Sequence, residues 1–304
     1  MPSSIWMNGH MVAESDARVS VFDHGLLYGD GVFEGIRFYA KRAFRLEGHL
    51  ERLERSAAAI RLALPYPRVA LIGAVESVIA HTALDNGYLR LVITRGPGDL
   101  GLDPRSCRSP TAFVAAAPLR LFAEDAAAGI AVIVASVRQT GIDSLDPRIK
   151  SLNYLSRILA RMEAVDSDAS EAVMLNRQGH IAEGTGDNVF LVRDGVLLTP
   201  PPSDGALEGV TRDVVLGLAR EIGLPCRQES LGAYDLYACD EAFLTGTGAG
   251  IVPIRMVDGR SIKACPGPVF CRIAAAFEAL VQCESRAPQR AASASVSDPR
   301  VFEP

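Results

Sequence analysis

The segment 146–154 reads Asp-Pro-Arg-Ile-Lys-Ser-Leu-Asn-Tyr, with Lys150 at its centre and a long helical pattern starting at its end. Lysine is rare in this chain of 304 residues, which contains two others, Lys41 and Lys263, and 28 arginines. An arginine side chain stays protonated, whereas a desolvated lysine amine can lose its proton and condense with a carbonyl group. Most lysines are solvent-exposed surface residues, so position alone assigns Lys150 no function. Its retention among so many arginines nevertheless suggests a role that a guanidinium group cannot fill.

The composition is that of a soluble globular protein, with 48% hydrophobic residues, 22% charged residues and a net charge of −5. The mild acidity and the scattered arginines disfavour binding to nucleic acid or to an anionic membrane surface. Apolar runs such as 129–135 are too short to span a bilayer. The N-terminal segment 1–6 has neither a charged region nor an apolar stretch of leader length, so we expect a cytoplasmic protein.

The six cysteines form no Cys-x-x-Cys pair and show no Cys/His spacing of the kind that binds metals. In a chain of this length, such cysteines are typical of reduced, mostly structural thiols in the cytosol. We therefore predict no metal site.

Hydrophobic periodicity predicts strands and helices in both halves of the chain. In the first half, an Asn-Gly turn at 8–9 predicts a hairpin, and a glycine-rich stretch at 28–35 precedes a strand at 36–39. The other predicted elements of this half are helices from 46 and from about 69, and strands at 88–94 and 111–117. The second half is predicted to contain strands at 130–136, 171–175, 189–192, 196–198 and 241–245, and a helix at 210–222. The helix that follows Lys150 has one apolar face, formed by Leu152, Leu155, Ile158, Leu159 and Met162.

Strands and helices in both halves predict a protein of the α/β and α+β classes, with two domains and a cleft between them. The Pro- and Ala-containing stretch 118–128 is the expected boundary. We predict a smaller N-terminal α/β domain at 1–119, a linker at 120–128, a larger C-terminal domain at 129–285 and a flexible tail at 286–304.

The second half matches the needs of a pyridoxal 5'-phosphate (PLP) site, which are a lysine, an acid for the ring nitrogen and an anion cradle. Glu183 lies in a segment, 181–188, whose glycines predict a turn between strands. Gly209 precedes a predicted helix, where free N–H groups and the helix dipole favour a phosphate. A second cradle, Thr-Gly-Thr-Gly-Ala-Gly at 245–250, lacks the Gly-x-Gly-x-x-Gly spacing of a dinucleotide site. Each feature alone also fits an ordinary turn or helix cap.

Six motifs occur together in the order and spacing of one enzyme family. They are Val-Phe-Asp-His-Gly-Leu-Leu-Tyr-Gly-Asp-Gly-Val-Phe-Glu-Gly at 21–35, Arg-Leu-Val-Ile-Thr-Arg-Gly at 90–96, Gly-Asp-Leu-Gly-Leu-Asp-Pro at 98–104, Lys-Ser-Leu-Asn-Tyr at 150–154, Glu-Gly-Thr-Gly-Asp-Asn at 183–188 and Gly-Val-Thr-Arg-Asp at 209–213. From about Trp6 to Ala279 the chain resembles the class IV aminotransferases, and within them most closely the branched-chain amino acid aminotransferases of the compact prokaryotic type. The resemblance implies a two-domain fold-type IV enzyme, similar to D-amino-acid aminotransferase, with PLP in the cleft.

The resemblance also implies a role for each matching position around the cofactor. Lys150 would be the Schiff-base lysine, Glu183 would pair with the pyridinium nitrogen, and Tyr154 would bond the phenolic oxygen. The phosphate would be bound by Arg52, Gly209, Val210, Thr211 and Thr247, and Leu207 would pack on the ring face.

Substrate contacts are implied in the same way, for Phe33, Gly35, Arg37, Tyr88, Arg90, Thr247 and Gly248, and for Tyr28 and Leu102 across the interface of a homodimer or higher homo-oligomer. Our candidate for the substrate carboxylate is Arg90 with Tyr88, because a fork of donors suits that group, and Arg37 is the alternative. The chain departs from the family at Gly248 and Gly250, where Gly-Thr-Ala-Ala-Glu is common. This departure falls in the loop expected to hold the substrate carboxylate.

We therefore hypothesise a ping-pong transamination between an L-amino acid, branched-chain for preference, and 2-oxoglutarate. In this hypothesis the freed amine of Lys150 moves the substrate Cα proton. D-Amino-acid aminotransferase and aminodeoxychorismate lyase activities remain alternatives of the same fold class. A PLP-binding protein without catalysis, or a plain scaffold, is the alternative of a different class. The retention of Lys150, Glu183 and both phosphate cradles argues against it.

Overall fold

The computed structural model describes residues 4–118 and 127–286, which form two β-sheets with helices packed on them. The predicted linker and tail lie almost wholly outside the described residues, so the domain boundaries stay a prediction. Among the described residues, no helix combines the length and the apolarity that a membrane span requires.

The first sheet is antiparallel and comes from the first half of the chain. Its described strands are β1 (Ser4–Met7), β2 (His10–Ala13), β3 (Gly31–Tyr39), β4 (Arg42–Ala43), β5 (Gly87–Thr94) and β6 (Thr111–Ala117), in the order β2-β1-β6-β5-β3-β4. The helices of this half are α1 (His24–Tyr28), α2 (Leu46–Ala59) and α3 (Arg68–His81). The predicted hairpin is confirmed, since Asn8 and Gly9 have φ angles of 47° and 95°, as the favoured two-residue turn requires.

The core of this half lies where α2 and α3 pack on the sheet. Along α2, Leu50, Leu53 and Ala57 recur at helical spacing and all three are buried. Their burial leaves the remaining side of α2 free to present polar residues such as Arg52 to the second half of the chain. The apolar stripe of α2 therefore determines how a charged residue reaches the cleft.

The second sheet mixes parallel and antiparallel pairs. Its described strands are β7 (Ile130–Val134), β8 (Glu171–Leu175), β9 (Ile181–Gly184), β10 (Asn188–Arg193), β11 (Val196–Thr199), β12 (Cys226–Gln228), β13 (Glu241–Gly246), β14 (Gly250–Val257) and β15 (Arg260–Ser261). They follow the order β12-β11-β10-β13-β14-β7-β8-β9, with β15 paired to β14. The helices are α4 (Leu155–Asp166), α5 (Val210–Glu221), α6 (Ala233–Ala238) and α7 (Pro268–Arg286). Apolar side chains pack on both faces of this sheet, which explains why β8 is buried at every position.

The glycine-rich stretch before residue 36 is a strand, which the sequence did not predict. Strand β3 already begins at Gly31, where its antiparallel pairing with β5 starts, and its glycines lie close to residues of β5. A Cβ on Gly35 would lie 1.8 Å from the Tyr88 hydroxyl oxygen, and one on Gly31 would lie 2.8 Å from the Ile93 carbonyl oxygen. Glycine, normally depleted in strands, is here the residue that permits the pairing.

The turn predicted in 181–188 is present at residues 185–187, between β9 and β10, but Glu183 precedes this turn and lies in strand β9. It pairs with Met174 of β8, next to an irregularity in the register. Cross-strand pairing decides the conformation here, since local propensity is a weak guide to strand formation.

The apolar face of α4 is exposed to solvent in the single chain. Leu155 is 69% exposed, and Ile158, Leu159 and Met162 are exposed as well. The buried side of α4 consists of Arg157, Ala160 and Ala164, with the two alanines packed against the small and flexible side chains of Ala135, Ala172 and Met174. The small alanines bring α4 close to the sheet, and the larger apolar side chains are left for another surface to cover.

Candidate active site

A cavity of about 220 Å³ lies in the cleft between the two sheets. Fourteen of the predicted cofactor and substrate residues line it, namely Phe33, Gly35, Arg52, Tyr88, Arg90, Lys150, Tyr154, Glu183, Leu207, Gly209, Val210, Thr211, Thr247 and Gly248. Three predicted substrate residues, Tyr28, Arg37 and Leu102, do not line it. The guanidinium of Arg37 lies over the ring of Tyr39, 5.7 Å from its centroid, while Tyr28 and Leu102 are exposed at the surface.

Lys150 is held between the first sheet and α2 by its backbone. The Phe33 amide donates to the Lys150 carbonyl at 3.0 Å, and the Lys150 amide donates to Ser56 Oγ at 3.1 Å. Its Nζ atom donates to the Tyr154 hydroxyl at 3.2 Å and lies 4.5 Å from the centroid of the Phe33 ring. Burial alone would raise the pKa of Tyr154, but the positive charges of Lys150 and Arg157 outweigh burial and lower that pKa. The lysine amine and the tyrosine hydroxyl are therefore a hydrogen-bonded pair in the cavity.

Glu183 is buried at another wall of the cavity, and its carboxylate accepts four hydrogen bonds. Arg157 Nη2 and Gln139 Nε2 donate to Oε1 at 2.5 and 3.0 Å. The Leu207 amide and Asn188 Nδ2 donate to Oε2 at 3.0 and 3.3 Å. This arrangement fixes the orientation of an ionised carboxylate in a buried place.

Arg52 reaches the cavity from α2 and is buried. Its Nε and Nη2 atoms donate to the two carboxylate oxygens of Glu34 at 2.8 and 2.7 Å, and Nη1 donates to the Glu208 carbonyl at 2.8 Å. Burial would raise the pKa of Glu34, but Arg52 and a second neighbour, His49, lower it to about 2. An arginine has five N–H donors, so Nη1 and Nη2 each keep one for an anion in the cavity.

The N-terminus of α5 forms another wall of the cavity. Gly209 is its N-cap without a side-chain cap bond, and Val210 and Thr211 are its first two residues. The free N–H groups of this first turn and the helix dipole favour an anion. A Cβ on Gly209 would lie 2.0 Å from Asn188 Oδ1, so glycine is needed for the close approach of these two segments.

The end of β13 supplies the second predicted cradle, residues 245–248. Within the described residues, the buried Thr245 hydroxyl has no hydrogen-bond partner, as expected for a group that a ligand completes. A Cβ on Gly246 would lie 1.9 Å from Asp187 Oδ1. Gly250, where the family commonly has an acid, has a φ of 70°, a left-handed conformation that other residues rarely adopt.

These residues fit PLP on the grounds of their chemistry. An amine, an ionised carboxylate and an anion cradle of one arginine with a helix N-terminus share one cavity, and an orphaned threonine hydroxyl lines the same wall as the cradle glycines. Among the described residues, no cluster of three or more His, Cys, Asp or Glu side chains could hold a metal ion.

Asp187 lines the cavity as a buried carboxyl group that the sequence did not single out. Its Oδ1 atom has no hydrogen-bond partner among the described residues. Burial, together with the negative charges of Glu171 and Glu183, raises the pKa of Asp187 to about 7. The folded protein therefore holds a proton there that an unfolded chain releases at about pH 4.

We expect Asp187→Asn to stabilise the cofactor-free protein at pH 8 and to leave it almost unchanged at pH 4. The raised pKa makes folding less favourable as pH rises from about 4 to about 7, and above pH 7 the penalty is complete, at most roughly 4 kcal/mol. Asparagine removes this penalty because it carries no charge. Urea unfolding at pH 4, 6 and 8 measures the effect.

The exposed Asp166 on α4 offers a matched control. Asp166→Asn should leave the difference in unfolding free energy between pH 4 and pH 8 as it is in the unchanged protein. Equal pH dependence in the Asp187→Asn protein and the unchanged protein would contradict the prediction.

Several residues around the site were missed at the level of sequence, above all Glu34, Gln139 and Arg157. Glu34 stands in the quoted motif 21–35, and strand alternation places it on the face opposite to Phe33 and Gly35, toward α2. Arg157 follows Tyr154 by three residues, which is the spacing of one helical face. The signal for Arg157 was a charged residue on the alanine side of an amphipathic helix.

Comparison with known proteins identifies the family. The family model described as amino-transferase class IV matches residues 31–257. The chain is 49% identical to a putative branched-chain-amino-acid aminotransferase of Methanocaldococcus jannaschii over 260 residues, which cover 85% of this chain and 89% of that one.

Two solved structures resemble the fold closely. The branched-chain amino acid aminotransferase of Escherichia coli superimposes with a TM-score of 0.89 at 38% identity, covering 92% of this chain and 95% of that chain. The branched-chain amino acid aminotransferase of Thermobaculum terrenum, solved in its PLP form, gives a TM-score of 0.82 at 31% identity, covering 92% and 94%. The predicted two-domain fold-type IV architecture is thus confirmed. Enzymes of this family depend on PLP, which the cavity fits. The chain belongs to the class IV aminotransferases.

Proposed function

We propose that this protein is a branched-chain amino acid aminotransferase that uses PLP and 2-oxoglutarate. The observation that carries the proposal is the meeting of Lys150, Tyr154, Glu183 and Arg52 in one cavity with the N-terminus of α5. The names of the relatives described above support the branched-chain substrate.

When bound, PLP supplies an electron sink that stabilises the negative charge left on the substrate Cα atom. Lys150 Nζ is the group that takes the proton from Cα and gives one back, and the Tyr154 hydroxyl at 3.2 Å keeps the amine positioned between transfers. The Glu183 carboxylate would accept a hydrogen bond from the ring nitrogen and so favour the protonated form of that nitrogen. Arg52, Val210 and Thr211 would anchor the phosphate group of the cofactor. The Lys150 amine would then face the substrate Cα atom in the same position in each turnover.

Arg90 is proposed to bind the substrate carboxylate. Its guanidinium lies 4.5 Å from the Phe33 ring centroid and 5.5 Å from the Tyr88 ring centroid, so two aromatic faces hold the cation. Burial raises the pKa of Tyr88, which keeps its hydroxyl neutral and able to donate a hydrogen bond. Phe33 and Tyr88 then provide an apolar wall for an aliphatic side chain.

A homodimer is proposed from the surface around Tyr28 and Leu102. The loop 97–103 is tied to the start of α1, because the Gly98 amide donates to the Phe22 carbonyl at 3.1 Å. This joined surface exposes large apolar side chains, including Leu102, which is 81% exposed. A second copy would cover it and bring Tyr28 and Leu102 to the substrate of its partner. We also propose a cytoplasmic location, which the six free cysteines support.

A substrate panel tests the function. We expect 2-oxo acid formation from L-leucine, L-isoleucine and L-valine with 2-oxoglutarate, at a kcat/KM at least about tenfold above that for D-alanine. Aminodeoxychorismate should give no pyruvate. If D-alanine were the sole substrate turned over, the proposal of a branched-chain substrate would be refuted. The proposal that the protein uses PLP would stand. A purified protein that stays colourless with added PLP would refute the proposed function as a whole.

A further inference from the structure

We infer that Arg157 is a positioning residue that shares the Glu183 carboxylate with the cofactor. In the empty site, Arg157 is the counter-ion of Glu183. In the loaded site, Arg157 weakens the hold of Glu183 on the ring nitrogen. This inference rests on the proposed role of Glu183. It concerns a residue to which the family motifs in this chain assign no role.

Arg157 is tied to Glu183 and to the backbone that carries it. Its Nη2 atom lies 2.5 Å from Glu183 Oε1, and Nη1 donates to the Gly184 and Thr185 carbonyls at 3.4 and 3.2 Å. Its guanidinium lies 4.9 Å from the centroid of the Tyr154 ring. Both partners of the pair are buried, with side chains 9% and 3% exposed. The arginine therefore touches both the acid and the tyrosine of the site.

The Glu183 carboxylate has no acceptor position left for a cofactor. A carboxylate offers about four lone-pair positions, and four protein donors occupy those of Glu183. The longest of these bonds, at 3.3 Å, comes from Asn188, which also donates to the Leu207 carbonyl at 2.9 Å. A protonated ring nitrogen would displace Asn188 most easily. Arg157 and Gln139 would then remain on the other oxygen and keep the carboxylate in place.

The charges of the site lead to the same result. A buried carboxylate without a cation is strongly unfavourable, and Arg157 is the cation that lies against Glu183 before a cofactor arrives. Burial alone would lower the pKa of Arg157, but Glu183 and Tyr154 raise it, so the guanidinium stays charged. In the loaded site one carboxylate faces two positive groups. Its attraction for a proton on the ring nitrogen is then weaker than that of an unshared carboxylate would be.

The test compares the affinity for PLP with that for 1-deazapyridoxal phosphate, in which a CH group replaces the ring nitrogen. The ratio of the two dissociation constants isolates the contact to the nitrogen from effects on folding or on phosphate binding. We expect Arg157→Met to raise the preference for PLP at least about fivefold, because no second cation then competes with the ring nitrogen for the Glu183 carboxylate. Arg157→Lys, which keeps the charge, should stay near the ratio of the unchanged protein. Fluorescence titration of the cofactor-free proteins gives both constants.

Arg161 provides a matched control on the same helix. It pairs with the buried Glu171, with Nη1 3.0 Å from Oε2, instead of with Glu183, and its side chain is 35% exposed. Arg161→Met should leave the preference unchanged. A ratio that stays unchanged or falls in the Arg157→Met protein would overturn the inference, as would an equal rise in the Arg161→Met protein.

Glu183→Gln separates this inference from the role of Glu183 itself. If Glu183 contacts the ring nitrogen, the glutamine variant loses most of the preference for PLP, whichever residue stands at 157. A full preference in Glu183→Gln would remove the proposed role of Glu183 and, with it, the inference. Should Arg157→Met fail to fold, Arg157→Gln replaces it in the same comparison.

Discussion

Replacing Lys150 with alanine lowers the rate of transamination by roughly 10⁴-fold, the upper range for loss of a positioned proton-transfer group. The alanine variant also loses the visible absorption band of bound PLP, because neither of the other two lysines, Lys41 and Lys263, lines the cavity to link to the cofactor carbonyl. The variant should keep its fold, since only backbone atoms of Lys150 bond to Phe33 and Ser56. Stopped-flow absorbance with L-leucine measures the rate and the absorption band, and a thermal melt checks that the variant is folded.

Two substitutions control for the loss of a lysine. Lys150→Arg keeps a positive charge beside Phe33 but cannot condense with a carbonyl, so it should be as inactive as the alanine variant. Lys263→Ala removes an exposed lysine that pairs with Asp240 and should leave band and rate unchanged. A Lys150→Ala protein that keeps the visible band would contradict the assignment of Lys150 as the covalent anchor.

Replacing Arg52 with glutamine has the largest expected effect on the stability of the cofactor-free protein, about 3–5 kcal/mol. The substitution leaves the Glu34 carboxylate buried beside His49 without its bidentate cation. Burial lowers the pKa of His49 by more than Glu34 raises it, so this histidine is a poor replacement for the arginine charge. Urea unfolding of the cofactor-free variant at pH 7 measures the loss. The dissociation constant of PLP should rise as well, because Arg52 lines the cavity at its proposed phosphate end.

An exposed bidentate pair serves as a control for the buried Arg52–Glu34 pair. Arg68 donates through Nε and Nη2 to the two carboxylate oxygens of Glu54, as Arg52 does to Glu34, but the Arg68 pair lies at the surface. Arg68→Gln should change the urea midpoint little, because water replaces the lost partner. If both glutamine variants lose the same stability, burial is not the reason for the importance of Arg52.

Local motifs picked out residues that the structure brings together in one cavity. The amine of Lys150, the acid of Glu183 and the glycine before α5 were recognisable because each task needs a particular residue type at a particular local position. Helix α2 was also predictable, since its apolar residues recur at helical spacing. The substrate and cofactor roles of individual residues remain predictions that the experiments above test.

Long-range contacts were not predictable from one sequence. Only the second half of strand β3, residues 36–39, was predicted, because the glycines at 31 and 35 give no strand signal until their pairing with β5 is known. The apolar face of α4 indicated burial by pattern, but the chain buries the alanine side and leaves Leu155 exposed. Helix α7 and strand β14 were not predicted at all.

The sequence by itself determined the family, and it named Lys150 and the residue types that we propose to hold PLP. Tertiary structure alone decided which charges meet, since Glu34 and Arg52 are 18 positions apart and Arg157 and Glu183 are 26 positions apart. The physical reason is burial. A charged side chain that leaves water must find its partner in space, and the packing of helices on sheets, not proximity in the chain, determines which partner is within reach.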